Sequence, residues 1–123
     1  MGLPDNKIKM NEIQLTITNH LKAYHRGKGN AIHYRQLAQY FELHERELRD
    51  IIADLITDYE IPIGSGQVGY WWLSNHEEYN EAHDELIARM KKLSRRAKGL
   101  RHGFEKSQLD YKFEQPKLME VKI

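Results

Sequence analysis

Apolar residues recur at spacings of three and four in four stretches of the chain, and they alternate in one more. In "NEIQLTITNHLKAYH" the stripe is Ile13, Ile17, Leu21 and Tyr24, which predicts an amphipathic helix. Gly27 and Gly29 in "RGKGN" then stop it. Ala31 and Ile32 form a very short apolar run, read as a minimal strand. A second helix is expected from about Tyr34 to Phe41, burying Leu37, Ala38 and Phe41. After the turn "ELH" a third is expected from about Glu45 to Tyr59. Its apolar face is Leu48, Ile51, Ile52, Leu55, Ile56 and Tyr59.

The pattern then changes. "IPIGSGQVGYWWL", residues 61–73, sets two β-prone runs, Ile61–Ile63 and Val68–Leu73, around a glycine-rich link. Alternation places Val68, Tyr70 and Trp72 on one face and Trp71 and Leu73 on the other. One tryptophan is expected to roof the helices, because so small a core needs its aromatic area. Beyond it, Ser74 or Asn75 can cap a long helix carrying Tyr79, His83, Leu86, Met90, Leu93, Ala97, Leu100 and Phe104. Those spacings alternate four and three, a heptad-like seam. A helix over 76–105 is longer than the small core before it can cover, so Leu86, Met90, Leu93 and Leu100 are expected to pack against a second copy. Gly99 and Gly103 weaken its last turns.

The expected organisation is a flexible N-terminus over 1–9, a compact domain over 10–75, the charged helix over 76–105 and an extended or disordered tail over 106–123. The order helix, short strand, helix, turn, helix and glycine-rich hairpin is that of a winged helix-turn-helix. "YRQLAQYFELHERELRDIIADLITDYEIPIGSGQVGYWWL" resembles such domains, in which a helix-turn-helix runs into a wing ending in Gly-Tyr. Over roughly 10–105 the chain is similar to small winged-helix proteins of bacteriophages and prophages. The fold class predicted is therefore mainly α (α+β), with a two- to three-stranded sheet and a long C-terminal helix. The resemblance makes Glu45 to Tyr59 the recognition helix, entering the major groove, and Gly64 to Gly69 the wing tip, touching backbone or minor groove. It implies double-stranded DNA as partner, a homodimer, and a role in transcription regulation or phage DNA replication.

The residues agree with that implication in part. Arginine can contact guanine bidentately, and phosphates need Lys or Arg. Arg46 and Arg49 lie on the third helix, Arg35 on the second and Lys28 in the first loop. Against them stand Glu45, Glu47, Asp50 and Asp54, and the same arginines could be salt-bridge partners at helical spacing, Glu42 with Arg46 or Glu45 with Arg49. The wing tip has no positive charge and offers only backbone N–H groups, Ser65 and Gln67.

Charge is segregated further along. The net charge is +1, yet 77–85 holds five acids and no Lys or Arg, whereas 89–106 holds eight bases and one acid. Arg95, Arg96 and their neighbours form a basic collar around the helix, suited to nonspecific phosphate attraction. Solvation of an exposed helix is the plainer reading.

Other chemistry finds no motif. Cysteine is absent, which excludes thiolate zinc sites and cysteine nucleophiles and fits a cytoplasmic location. The seven histidines show no recognised ligand spacing, so no metal is expected, and no cofactor or catalytic residue either. No apolar run approaches a membrane span, and "MGLPDNKIKM" has no signal-peptide core. "QLDYKF", residues 108–113, loosely resembles the short peptide by which bacterial replication proteins dock on the sliding clamp. The alternative to DNA binding is therefore a protein-interaction module whose helix or tail recruits a replication or regulatory partner.

Overall fold

A computed structural model of the chain describes residues 9–121, with side chains over 9–112. The elements are α1 (Glu12–Tyr24), a single 3-10 turn (Lys28–Asn30), α2 (Tyr34–Tyr40), α3 (Glu45–Tyr59), β1 (Ile63–Gly66), β2 (Gly69–Trp72) and α4 (His76–Val121). The chain is mainly helical, with a small two-stranded antiparallel sheet and a long C-terminal helix. Residues up to Ala82 form one compact unit and residues from His83 a second.

Local chemistry sets the helix starts. Asn11 Oδ1 accepts from the Gln14 N–H at 2.8 Å while Gln14 Oε1 accepts from the Asn11 N–H at 3.0 Å, a reciprocal cap on α1. The Glu47 carboxylate accepts from the His44 N–H at 3.1 Å at the start of α3. The centre of each predicted stripe is buried, Ile17 and Leu21 from α1, Leu37 and Ala38 from α2, and Leu48, Ile52 and Leu55 from α3, joined by Ile63, whereas Tyr24, expected in the stripe of α1, is 71% exposed. Each fully buried Leu or Ile contributes about 1.5–3 kcal/mol. Glu42, in the α2–α3 turn, and Glu60, after α3, take left-handed φ values of 57° each.

The hairpin is tighter than its composition suggests. β1 takes in Gly64–Gly66, expected as link, and only Gln67 and Val68 remain as the turn, with Gly66 opposite Gly69. The glycines serve close packing instead. A Cβ on Gly64 would lie 2.5 Å from Trp71 Cε2, so the indole rests flat on bare backbone. Gly69 has φ +116°, and its Cβ would collide with the Ile32 carbonyl. That carbonyl and the Ile32 N–H exchange hydrogen bonds of 2.9 Å with Tyr70, so the expected minimal strand is a single bridge. β2 is thus held on both edges, by β1 and by residues 25–32, since Trp72 also bonds His25 O and the Gly27 N–H. Tyr70 and Trp72 pack on the core, while Trp71, on the opposite face, is 3% exposed.

α4 starts where Asn75 Oδ1 accepts from the Glu78 N–H at 2.8 Å. The predicted end at 105, and the extended tail after it, are corrected: the helix continues through 106–112 and on to Val121. Lys106, Gln108, Leu109 and Lys112 are strong helix formers with no glycine or proline among them, so propensity carries the helix where the apolar period fades. "QLDYKF" is therefore helical through Lys112. The N-terminal segment, except residue 9, lies outside the described residues.

Candidate functional site

Two of the arginines singled out from the sequence converge on a pair of tyrosines. Arg35, in the first turn of α2, places its guanidinium 6.0 Å from the Tyr34 ring centroid and its Nε 3.3 Å from the Glu45 carboxylate at the start of α3. His33 stacks on the other neighbour of that group, the Tyr34 ring, at 4.3 Å. Tyr70, half-buried on β2, has its hydroxyl pKa pushed up by burial, with Arg49 pulling it down and Tyr34 adding to the rise. Arg49 of α3, Tyr34 of α2 and Tyr70 of β2 are thus electrostatic neighbours. Tyr70 stays a neutral phenol able to donate and accept.

Pairing changes the charge balance on α3. Glu45 is taken by Arg35, and Glu47 accepts from the His44 N–H. Arg46 and Arg49, three apart on one face, are exposed and make no salt bridge among the described residues. The remaining acids Asp50, Asp54 and Asp58 follow one another at spacings of four. At about 100° per residue Asp54 lies roughly 140° around the helix from Arg49. Arg49 therefore faces Tyr70 of β2, with Asp54 and Asp58 turned away from it, while Asp50 follows Arg46 one turn on. The expected partners Glu42–Arg46 and Glu45–Arg49 do not form.

The hairpin adds polar groups without charge. Ser65 is opposite Tyr70 in the register, so the two side chains share a face, and Gln67 sits exposed in the turn.

Lys28 belongs elsewhere. Its Nζ is 3.4 Å from Glu81 and 5.6 Å from the Trp71 ring centroid, and its backbone N–H donates to Glu78 at 2.8 Å. Glu78 also accepts from the Ser74 N–H at 3.0 Å and the Ser74 hydroxyl at 3.1 Å. These bonds hold its carboxyl below the usual range, the Lys28 N–H having the largest effect. Lys28 is thus a clasp on the first turns of α4. Trp71 Nε1 beneath it is buried with no hydrogen-bond partner among the described residues.

Arg95 and Arg96 lie in the second unit, exposed and without a salt bridge among the described residues. Leu86, Met90, Leu93 and Leu100 of the same helix are also exposed.

A second feature had no signal in the sequence. His25 Nδ1 lies 2.9 Å from the Asn30 carbonyl, which only accepts, so Nδ1 carries the proton. His25 Nε2 then accepts from His20 Nε2 at 3.3 Å. His20 stacks on Tyr40 at 4.9 Å, and burial first, His25 second, lower its pKa. Tyr24, Asn30, Gln36 and Tyr40 line the open depression beside this pair. A separation of five residues across a helix end falls under no same-face rule, so the pair is not legible from spacing.

Among the described residues no group of three or more His, Asp or Glu could hold a metal ion, and no helix is long and apolar enough to cross a membrane. No protein-family model, curated protein or solved structure matches this chain significantly.

Proposed function

We propose that residues 10–75 form a winged helix-turn-helix that binds double-stranded DNA through the start of α3, the start of α2 and the hairpin. One observation carries the reading: Glu45 and Glu47 are engaged within the fold, leaving Arg46 and Arg49 without a salt bridge among the described residues, Arg49 beside Tyr70. In helix-turn-helix proteins the N-terminal residues of the second helix reach base edges. Here those residues are Arg46 and Arg49, able to take guanine O6 and N7 or a phosphate. Arg35, with Tyr70, Ser65 and Gln67, contacts the backbone and sets the register. The Asp50–Asp54–Asp58 edge is repelled by phosphates and so fixes which way the helix turns in the groove. Arg95 and Arg96 add sequence-independent attraction. Such a module serves transcription regulation or phage DNA replication.

Fluorescence anisotropy with a labelled random duplex tests this. The wild type binds at about 50 mM salt and weakens steeply toward 200 mM. Arg49→Glu weakens binding at least about tenfold, matching about 1.4 kcal/mol or more for a lost arginine contact. Binding that is absent at low salt, or unchanged by salt, refutes the proposal. The acidic edge of α3 favours a second reading, in which the domain is a scaffold and α4 recruits a protein. A pull-down through residues 76–123 in the absence of any DNA shift supports that one.

A further inference from the structure

The second unit carries an apolar row with nothing of its own to cover it. Leu86, Met90, Leu93, Leu100 and Phe104 are 52%, 56%, 53%, 74% and 61% exposed. With His83 and Ala97 they follow alternating steps of three and four, the a and d positions of a heptad. At about 100 Å² for each half-exposed side chain, two such rows bury about 1,000 Å², the threshold of a specific interface.

We infer that α4 pairs with α4 of a second copy of this chain in antiparallel orientation. Two properties of the row select that occupant and direction. The first is size. With the direction reversed, Leu86 faces Ala97 of the second copy, His83 faces Leu100, and Met90 faces Leu93. Every layer joins an a position to a d position, as antiparallel packing requires, and each small or polar residue meets a leucine. Parallel pairing sets Ala97 on Ala97 and His83 on His83, leaving a void in one layer and two imidazoles in another.

Charge is the second. Asp84 and Glu85 close an acidic stretch over 77–85, and eight bases against one acid lie over 89–106. Antiparallel pairing brings Asp84 and Glu85 of one copy level with Gly99 and Lys98 in the basic run of the other. Parallel pairing stacks the two basic runs along their whole length, whereas antiparallel pairing limits the like-charge contact beside the seam to Arg89 against Arg96. This lengthwise match of opposite charge favours the antiparallel direction. The inference concerns α4 alone and stands whether or not residues 10–75 bind DNA.

The absence of cysteine makes the test clean. Single variants Leu86→Cys and Ala97→Cys are made in the full chain, oxidised separately and as an equimolar mixture. A disulfide needs Cα atoms within about 7 Å. In the antiparallel pair the two copies of position 86 are 11 residues apart along the axis, roughly 16 Å, and cannot join. The expected result is a disulfide dimer in the mixture linking position 86 to position 97, with Leu86→Cys alone remaining unlinked. Linking of Leu86→Cys to itself overturns the orientation. Sedimentation of the unmodified chain as a monomer at 100 µM, or no link in any sample, overturns the pairing. These surface changes leave the buried core of residues 10–75 untouched, and a far-UV spectrum equal to wild type confirms the fold.

Discussion

Gly69→Ala is the sharpest perturbation of the hairpin that carries Tyr70. The residue has φ +116°, and an added methyl would overlap the Ile32 carbonyl, a backbone atom that cannot rotate away. A non-glycine residue in that region costs about 1–3 kcal/mol. Moving Ile32 aside also breaks its two 2.9 Å hydrogen bonds with Tyr70, at about 1 kcal/mol each. The expected loss is about 3–5 kcal/mol, a large share of the 5–15 kcal/mol typical of a domain. With a urea slope near 1 kcal/mol/M, the midpoint falls by about 3 M, or the variant is unfolded in buffer. Gly29→Ala is the control: nothing lies within 4 Å of its new methyl, and its φ is not left-handed. It should stay within about 1 kcal/mol of wild type. Urea unfolding followed by tryptophan fluorescence reads both. A Gly69→Ala midpoint equal to that of Gly29→Ala would refute the close approach of β2 to Ile32.

Glu78→Gln should cost about 1–2 kcal/mol near neutral pH, after discounting for solvent exposure, because a charged acceptor of the Lys28 and Ser74 N–H groups becomes neutral. The folded-state pKa of Glu78 is lowered, so its contribution is present above the unfolded value near 4.5 and lost as pH falls through the folded one. The gap between wild type and Glu78→Gln in urea midpoint should narrow as pH falls below that value, and a gap that does not narrow contradicts the clasp. His20 also has a lowered pKa, so the folded state takes up its proton less readily than the unfolded one. Stability should be full above the unfolded pKa near 6.5 and fall as pH drops through the folded value, with a shallower acid-side fall in His20→Phe. Equal slopes in the two proteins would remove His20 as the cause.

The three helices of the first unit and their order were legible because each places an apolar stripe at a fixed period on one side. Leu48, Ile52 and Leu55 leave little choice of face. The hairpin edges were not, because Gly64 and Gly66 look like a loop in sequence, whereas Gly64 is there to admit the Trp71 ring. The end of α4 was hidden by a change of rule: past Phe104 the helix rests on the propensity of Lys106, Gln108 and Leu109 rather than on an apolar period. The candidate site was half visible. Arg35, Arg46 and Arg49 stand out by type, but which acid each meets depends on the α2–α3 turn. Glu45 pairs across that turn with Arg35 rather than along α3 with Arg49. Tyr34 and Tyr70 are 36 positions apart and meet only because Ile32 bridges β2. Lys28 looked like a loop cation open to phosphate, and no local pattern announces Glu78 and Glu81, about 50 positions on.

The central claim is that the arginine–tyrosine face of α2, α3 and the hairpin meets DNA. Titrating a short random duplex into ¹⁵N-labelled protein at low salt tests it most directly. The account predicts that the largest amide shifts fall on Arg35, Arg46, Arg49, Gln67 and Tyr70, and that they shrink together in Arg49→Glu. Shifts confined to α4, or none anywhere while the fold is intact, would contradict it.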